Sequence, residues 1–186
     1  MYSEKIKQIL EDIENKEIDV AGGSAVGIIL STVNSLIKYI ANLTVGKKKY
    51  EDVQEKIKEI IDESEKLKKQ ALDSIDKDVL VLENLLNTYK KRNENKKEYQ
   101  EACIQATEFS LEVIKIAYKT LELSNEISKV GNKMLASDFN ICKYFSKASI
   151  EAAKENYFIN FNSIENEETK QSVNEKYLEI LNRYEV

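Results

Sequence analysis

Gly22-Gly23-Ser24 leads straight into a long apolar segment. Glycine lets a backbone approach a ligand closely, and the N–H groups at a helix start favour an anion or a developing oxyanion. The same three residues also serve as a plain turn and N-cap. Asp73, Asp76 and Asp78 fall in a helical pattern. Carboxylates on a helix surface are ordinarily solvated, whereas a buried one, its pKa raised by desolvation, can act as a general base. Gly46-Lys47-Lys48-Lys49-Tyr50 is a cationic turn that either complements a helix C-terminus or meets an anionic substrate. Gly131-Asn132 is followed by Ser137-Asp138, by itself a helix-capping signal. Asn156 and Asn160, at i and i+4, suit either recognition of a heterocycle or closure of a helix's last turn.

The composition narrows what these groups can do. The chain contains no His, so a Ser-His or Cys-His nucleophile pair, a histidine acid/base and a His-ligated zinc are all excluded. Acid/base chemistry falls to carboxylates, Lys, Tyr, Cys or bound water. The balance of 28 Lys+Arg against 33 Asp+Glu gives −5 at pH 7, and only Arg92 and Arg183 are arginines, which argues against a nucleic-acid groove. Cys103 and Cys142 form no Cys-x-x-Cys motif, and the first residues carry no secretory pattern, so a reducing cytoplasm is expected. Ala25 to Val45 is long enough to span a bilayer but contains Ser31, Thr32, Asn34, Ser35, Lys38 and Asn42; it reads as a buried helix, with no membrane partner.

The elements that must position these residues are helical. Average usage would place about nine Pro and thirteen Gly in such a chain; there are no Pro and five Gly. Ile6, Ile9, Leu10 and Ile13 predict a short amphipathic helix capped by Ser3. The second helix spans about Ser24 to Val45, apolar on most sides and therefore central, with a polar stripe at Ser24, Gly27, Ser31, Asn34 or Ser35, Lys38 and Asn42 that lines a cavity or closes a helix contact. From Tyr50 to about Arg92 the apolar pattern predicts one very long helix or two with a kink near Asp73 to Asp78. Lys90 to Lys97 forms a solvated turn, a fourth helix covers about Lys97 to Val130, a fifth follows Ser137 or Asp138 as its cap and reaches at least Tyr157, and a last lies near Glu167 to Tyr184. Gly46 and Gly131 each stand where a left-handed cap is expected. The fold class is all-α, a bundle of five to six long helices in a single domain, 1–186.

The ordered series Gly22-Gly23-Ser24, Ala41-Asn42-Leu43-Thr44-Val45-Gly46-Lys47-Lys48-Lys49-Tyr50, Gly131-Asn132 with Ser137-Asp138, Asn156 and Ile159-Asn160 resembles the cyclodeaminase/cyclohydrolase family. To that family belong the C-terminal domain of formiminotransferase-cyclodeaminase and free-standing methenyltetrahydrofolate cyclohydrolases. The most specific piece is Asn-Leu-Thr-Val-Gly-Lys-Lys-Lys-Tyr. Two stretches depart from the family pattern. Val20 and Ala21 stand where Pro and the first of three Gly are usual, and Val79-Leu80-Val81-Leu82 replaces small residues and an aromatic, so that bulky aliphatic side chains are expected to take up part of the pocket.

The resemblance implies an all-α homodimer that binds a tetrahydrofolate derivative as substrate, without a metal, in a cleft between helices. The reaction would be hydrolysis of 5,10-methenyltetrahydrofolate to 10-formyltetrahydrofolate, or the related cyclodeamination of formiminotetrahydrofolate. Since the sequence carries no formiminotransferase domain, hydrolysis is the expected one of the two. The resemblance assigns cleft contacts to Gly22, Gly23 and Ser24, substrate carboxylates to Lys47 and Lys48, and further contacts to Asn42, Asn132, Ser137 and Asn156. Asp138 or Asp78 would be the carboxylate beside the reacting carbon. A non-catalytic helical scaffold, or a folate carrier without turnover, is the alternative.

Overall fold

With few breakers to interrupt them, the apolar patterns run on as long rods. The structure is a computed structural model describing residues 2–14 and 20–184. It contains six helices among the described residues: α1 (Tyr2–Glu14), α2 (Gly22–Asn42), α3 (Gln54–Lys90), α4 (Lys96–Val130), α5 (Ala136–Phe161) and α6 (Glu167–Tyr184). A 3-10 turn, Lys48–Val53, precedes α3 and another, Lys133–Leu135, precedes α5. The third predicted helix is thus one rod of 37 residues without a break at Asp73 to Asp78, about 55 Å long at 1.5 Å per residue.

Helix α2 packs against α3, α4 and α5 together, the central position its composition predicts. Half of its most apolar window is buried inside the bundle. One core surrounds its first half, where Val26 and Leu30 meet Ala71, Ile114, Ala117, Ile150 and Tyr157. The other surrounds its second half, with Val33, Ile37 and Ile40 against Ile57, Ile60, Leu67, Ile127 and Phe139. Helix α6 is held to this bundle by stacked rings, Tyr157 on Tyr177 at 4.6 Å between centroids.

The polar stripe on α2 closes helix contacts at Gly27, Asn34 and Lys38. Asn34, fully buried, donates to Leu30 O at 2.9 Å and to Thr120 Oγ1 of α4 at 3.0 Å. Lys38 reaches Glu65 of α3. Ser31 and Ser35 donate to carbonyls of the preceding turn, the usual way a small hydroxyl is satisfied inside a helix. Gly27 marks the crossing of α2 over α3: a Cβ there would lie 2.7 Å from Ile75 Cγ1 and 2.9 Å from both Ala71 O and Ser74 Oγ.

Several predicted caps are placed differently. Ser3 lies inside α1 and not before it. Ser24 lies within the first turn of α2, whose N-cap is Ala21 and has no side-chain cap bond. Ser137 and Asp138 lie within α5, whose N-cap is Leu135. Asn132 caps the short 3-10 turn by accepting from Met134 N–H. Gly46 has φ +70, the left-handed conformation predicted for it. Gly131 is extended, with φ −75 and ψ 168. It is needed for space instead, since a Cβ would fall 2.6 Å from Ile127 O.

Candidate active site

The start of α2 is capped by another helix. Asp78, in the second half of α3, accepts from Ser24 N–H at 2.7 Å and from Ser24 Oγ–H at 2.8 Å, both through Oδ2. Ser24 itself is fully buried. The carboxylate lies so close over Gly23 that a Cβ at that position would overlap it. The Gly-Gly-Ser signal therefore makes room for, and anchors, a carboxylate 54 residues away. Burial pushes the Asp78 carboxyl above its ordinary 3.8, while the two bonds from Ser24 pull the other way without cancelling it.

Asp78 opens into a cleft of about 400 Å3 between the start of α2, the second half of α3, the first half of α4 and the end of α5. That volume lies in the range of small-molecule sites. Gly22, Gly23, Asp78, Ser110, Asn156 and Asn160 give one part of it polar character. Val81, Leu82 and Leu85 form an apolar wall that ends in Tyr89 and Tyr99, whose rings meet edge to face at 5.7 Å. The bulky aliphatic run after Asp78 therefore lines the cleft without filling it. The arrangement suits a ligand with a flat apolar body and a polar or cationic head: the walls take the body, and a half-buried carboxylate faces the head, where it can stabilise positive charge or accept a proton. A groove of about 420 Å3 between α3 and α4 is as large, but it is lined by Lys77 and Glu112 paired with each other.

Of the residues singled out in the sequence, the structure brings together Gly22, Gly23, Ser24, Asp78, Asn156 and Asn160. Within one chain it does not bring Asn42, Lys47, Lys48, Asn132, Ser137 or Asp138 to them. Asn42 ends α2, whose 21 residues separate it from Gly22 by about 30 Å. Asp138 stands in the first turn of α5, about five turns from Asn156. At that far end the two sequence blocks join each other. Asn132 N–H donates to Thr44 Oγ1 and Lys133 N–H to Tyr50 OH, both at 3.0 Å, while Lys47 and Lys48 face solvent. Ser110, Phe109, Tyr89 and Tyr99 line the cleft without having been read as site residues. Each sits in an ordinary helical pattern, and only the fold shows where it points. Among the described residues no group of three or more His, Cys, Asp or Glu side chains is placed to hold a metal ion.

Comparison with known proteins bears on the family and the fold. The sequence model of a family described as formiminotransferase-cyclodeaminase matches residues 5–179. The methenyltetrahydrofolate cyclohydrolase of Methylorubrum extorquens is 26% identical over 165 residues, covering 85% of this chain and 79% of its own. The crystal structure of formiminotetrahydrofolate cyclodeaminase from Thermotoga maritima has the same fold, with a TM-score of 0.89 at 24% identity over 97% of this chain and 89% of that one.

Proposed function

The chain belongs to the formiminotransferase-cyclodeaminase family, and from that premise we propose that it is a folate one-carbon enzyme that hydrolyses 5,10-methenyltetrahydrofolate to 10-formyltetrahydrofolate. The observation that carries the reading is Asp78, a desolvated carboxylate fixed by Ser24 at the polar end of an otherwise apolar cleft. The substrate is a delocalised amidinium cation joined to flat aromatic groups. Asp78 stabilises that cation and takes a proton from the attacking water, while Gly22, Gly23 and Asn156 bind around it. Of the two carboxylates suggested by resemblance, the cleft favours Asp78 over Asp138. The related cyclodeaminase reaction would use the same cleft.

The reading extends to the assembly. Ile29, Tyr39 and Leu43 of α2 and Ile141, Tyr144 and Phe145 of α5 remain exposed on two helices that pack side by side. Such an apolar face suits a second copy. A homodimer also gives Lys47 and Lys48 a role: pairing α2 helices antiparallel carries one protomer's cationic turn to its partner's cleft, where it meets the substrate's carboxylates together with Asn42, Asn132 and Ser137. The whole chain, 1–186, then acts as one cyclodeaminase-like unit. The two buried free thiols, Cys103 and Cys142, suit a reducing cytoplasm.

The test is to add purified protein to methenyltetrahydrofolate and follow the loss of its near-ultraviolet absorbance. Wild type accelerates the loss over buffer, and Asp78→Asn lowers kcat by about 100-fold or more, the usual size of a general-base effect. A folate-induced rise in melting temperature without chromophore loss would make the protein a carrier.

A further inference from the structure

Beside Asp78, at the edge of the cleft, lies a small recess. The volume open to the centre of a water molecule is about 10 Å3, room for one water. Its polar lining is Asp78, Ser110 and Asn156, and Phe109, Val113 and Ala153 form its apolar side. Phe109 and Val113 also line the groove between α3 and α4, so they stand as a partition between that outer groove and this space. Gly23, Asp78, Phe109, Ser110 and Asn156 line both the small space and the cleft, and this sharing makes the cleft its neighbour on the other side.

The lining residues match the hydrogen-bonding needs of one water. Ser110, 5% exposed, gives its proton to Ala106 O at 2.9 Å, which leaves its oxygen as an acceptor. Asp78 commits Oδ2 to Ser24, so Oδ1 remains as the second acceptor. The Asn156 amide offers a donor. A water held by these three groups donates twice, accepts once and keeps one lone pair for attack.

We propose that this space seats the attacking water and that Ser110 is a positioning residue which holds it against Asp78. The proposal rests on the hydrolase reading and deepens it. The water oxygen forms a bond to the amidinium carbon, and its proton passes to the Asp78 carboxylate. The ring C–N bond then breaks, its electron pair going to nitrogen. That nitrogen takes the proton from Asp78. The hydroxyl proton of the adduct leaves to solvent as the formyl C=O forms. No oxidant or second substrate is needed.

Two small substitutions test it, with kcat and KM measured separately on methenyltetrahydrofolate. Ser110→Ala removes one acceptor, and Ala153→Ser places a hydroxyl in the same space, where it competes with the water while Ser110 stays intact. Each is expected to lower kcat by about 10- to 100-fold, the scale of misplacing one reactant, with KM and the folate-induced rise in melting temperature unchanged. Ser110→Thr, which keeps the hydroxyl, restores most of the rate. Full kcat in either Ser110→Ala or Ala153→Ser overturns the water seat while leaving the hydrolase reading intact, as does a parallel loss of kcat, KM and folate binding. A wild-type protein without hydrolysis removes the reading itself, and the water seat with it.

Discussion

Asp78 carries opposing demands. Burial outweighs the two Ser24 bonds, so the folded chain holds a proton on Asp78 at pH values where the unfolded chain has lost it. Above 3.8 the unfolded state then binds fewer protons, and this residue's contribution to stability falls as pH rises through the folded value. Asp78→Asn, which mimics the protonated acid, is therefore expected to melt at or above wild type at neutral pH. The difference should shrink as pH is lowered toward 3.8, as thermal melts across pH would show. Turnover has the opposite sign. The ionised form does the chemistry, so kcat/KM drops on acidification along a limb centred above 3.8, and that limb is missing from the residual activity of Asp78→Asn. A limb at the ordinary Asp value would mean that a solvated carboxylate controls the rate.

Among the helices, the α2–α3 crossing decides whether Asp78 meets Ser24. Gly27→Ala gains about 1 kcal/mol in helix propensity but drives a methyl against a backbone carbonyl at 2.9 Å, and such overpacking costs about 1 to 3 kcal/mol. The clash wins, because a carbonyl in the middle of α3 cannot swing aside. We expect a net loss of about 1 kcal/mol in urea unfolding, with reduced activity because Asp78 lies one turn beyond Ser74. The helices were legible in the sequence because Pro is absent and apolar positions recur over long runs. The ends were less so: Ser24 looks like a self-sufficient cap, and nothing near it announces a partner 54 residues away. Of the two forms open to the third helix, the unbroken one is found: the charged stretch Asp73 to Asp78 has no Gly or Pro to interrupt α3. Ser110 was invisible for a similar reason, since a serine bonded to the preceding turn is common in any helix.

At the scale of the whole molecule, the exposed α2 and α5 side chains and the distance from Lys47 to Asp78 lead to two experiments. Mixing Asp78→Asn chains with chains carrying both Lys47→Glu and Lys48→Glu restores activity if the lysines serve the partner's cleft, because a mixed dimer then contains one intact site. Random pairing predicts about a quarter of the wild-type rate. Tyr144→Glu, placed on a side chain 68% exposed in the single chain, should shift the protein from the proposed dimer to a monomer in analytical ultracentrifugation. A mixture as inactive as its components would confine the lysines to their own end of the chain. The sequence supplied both groups of residues but not their separation, which follows from the length of α2 and had no local signature.

The unbroken run of α3 limits how this protein can change length. Each residue added to or removed from a helix rotates everything beyond it by about 100°. Between Ala71, which meets Gly27, and Asp78, which meets Ser24, there is no turn to absorb such a rotation. Substitutions in that interval can be accommodated; a single insertion would swing the carboxylate out of register with its serine. Gaps in an alignment of related chains should accordingly gather in the connecting turns and spare positions 71 to 78.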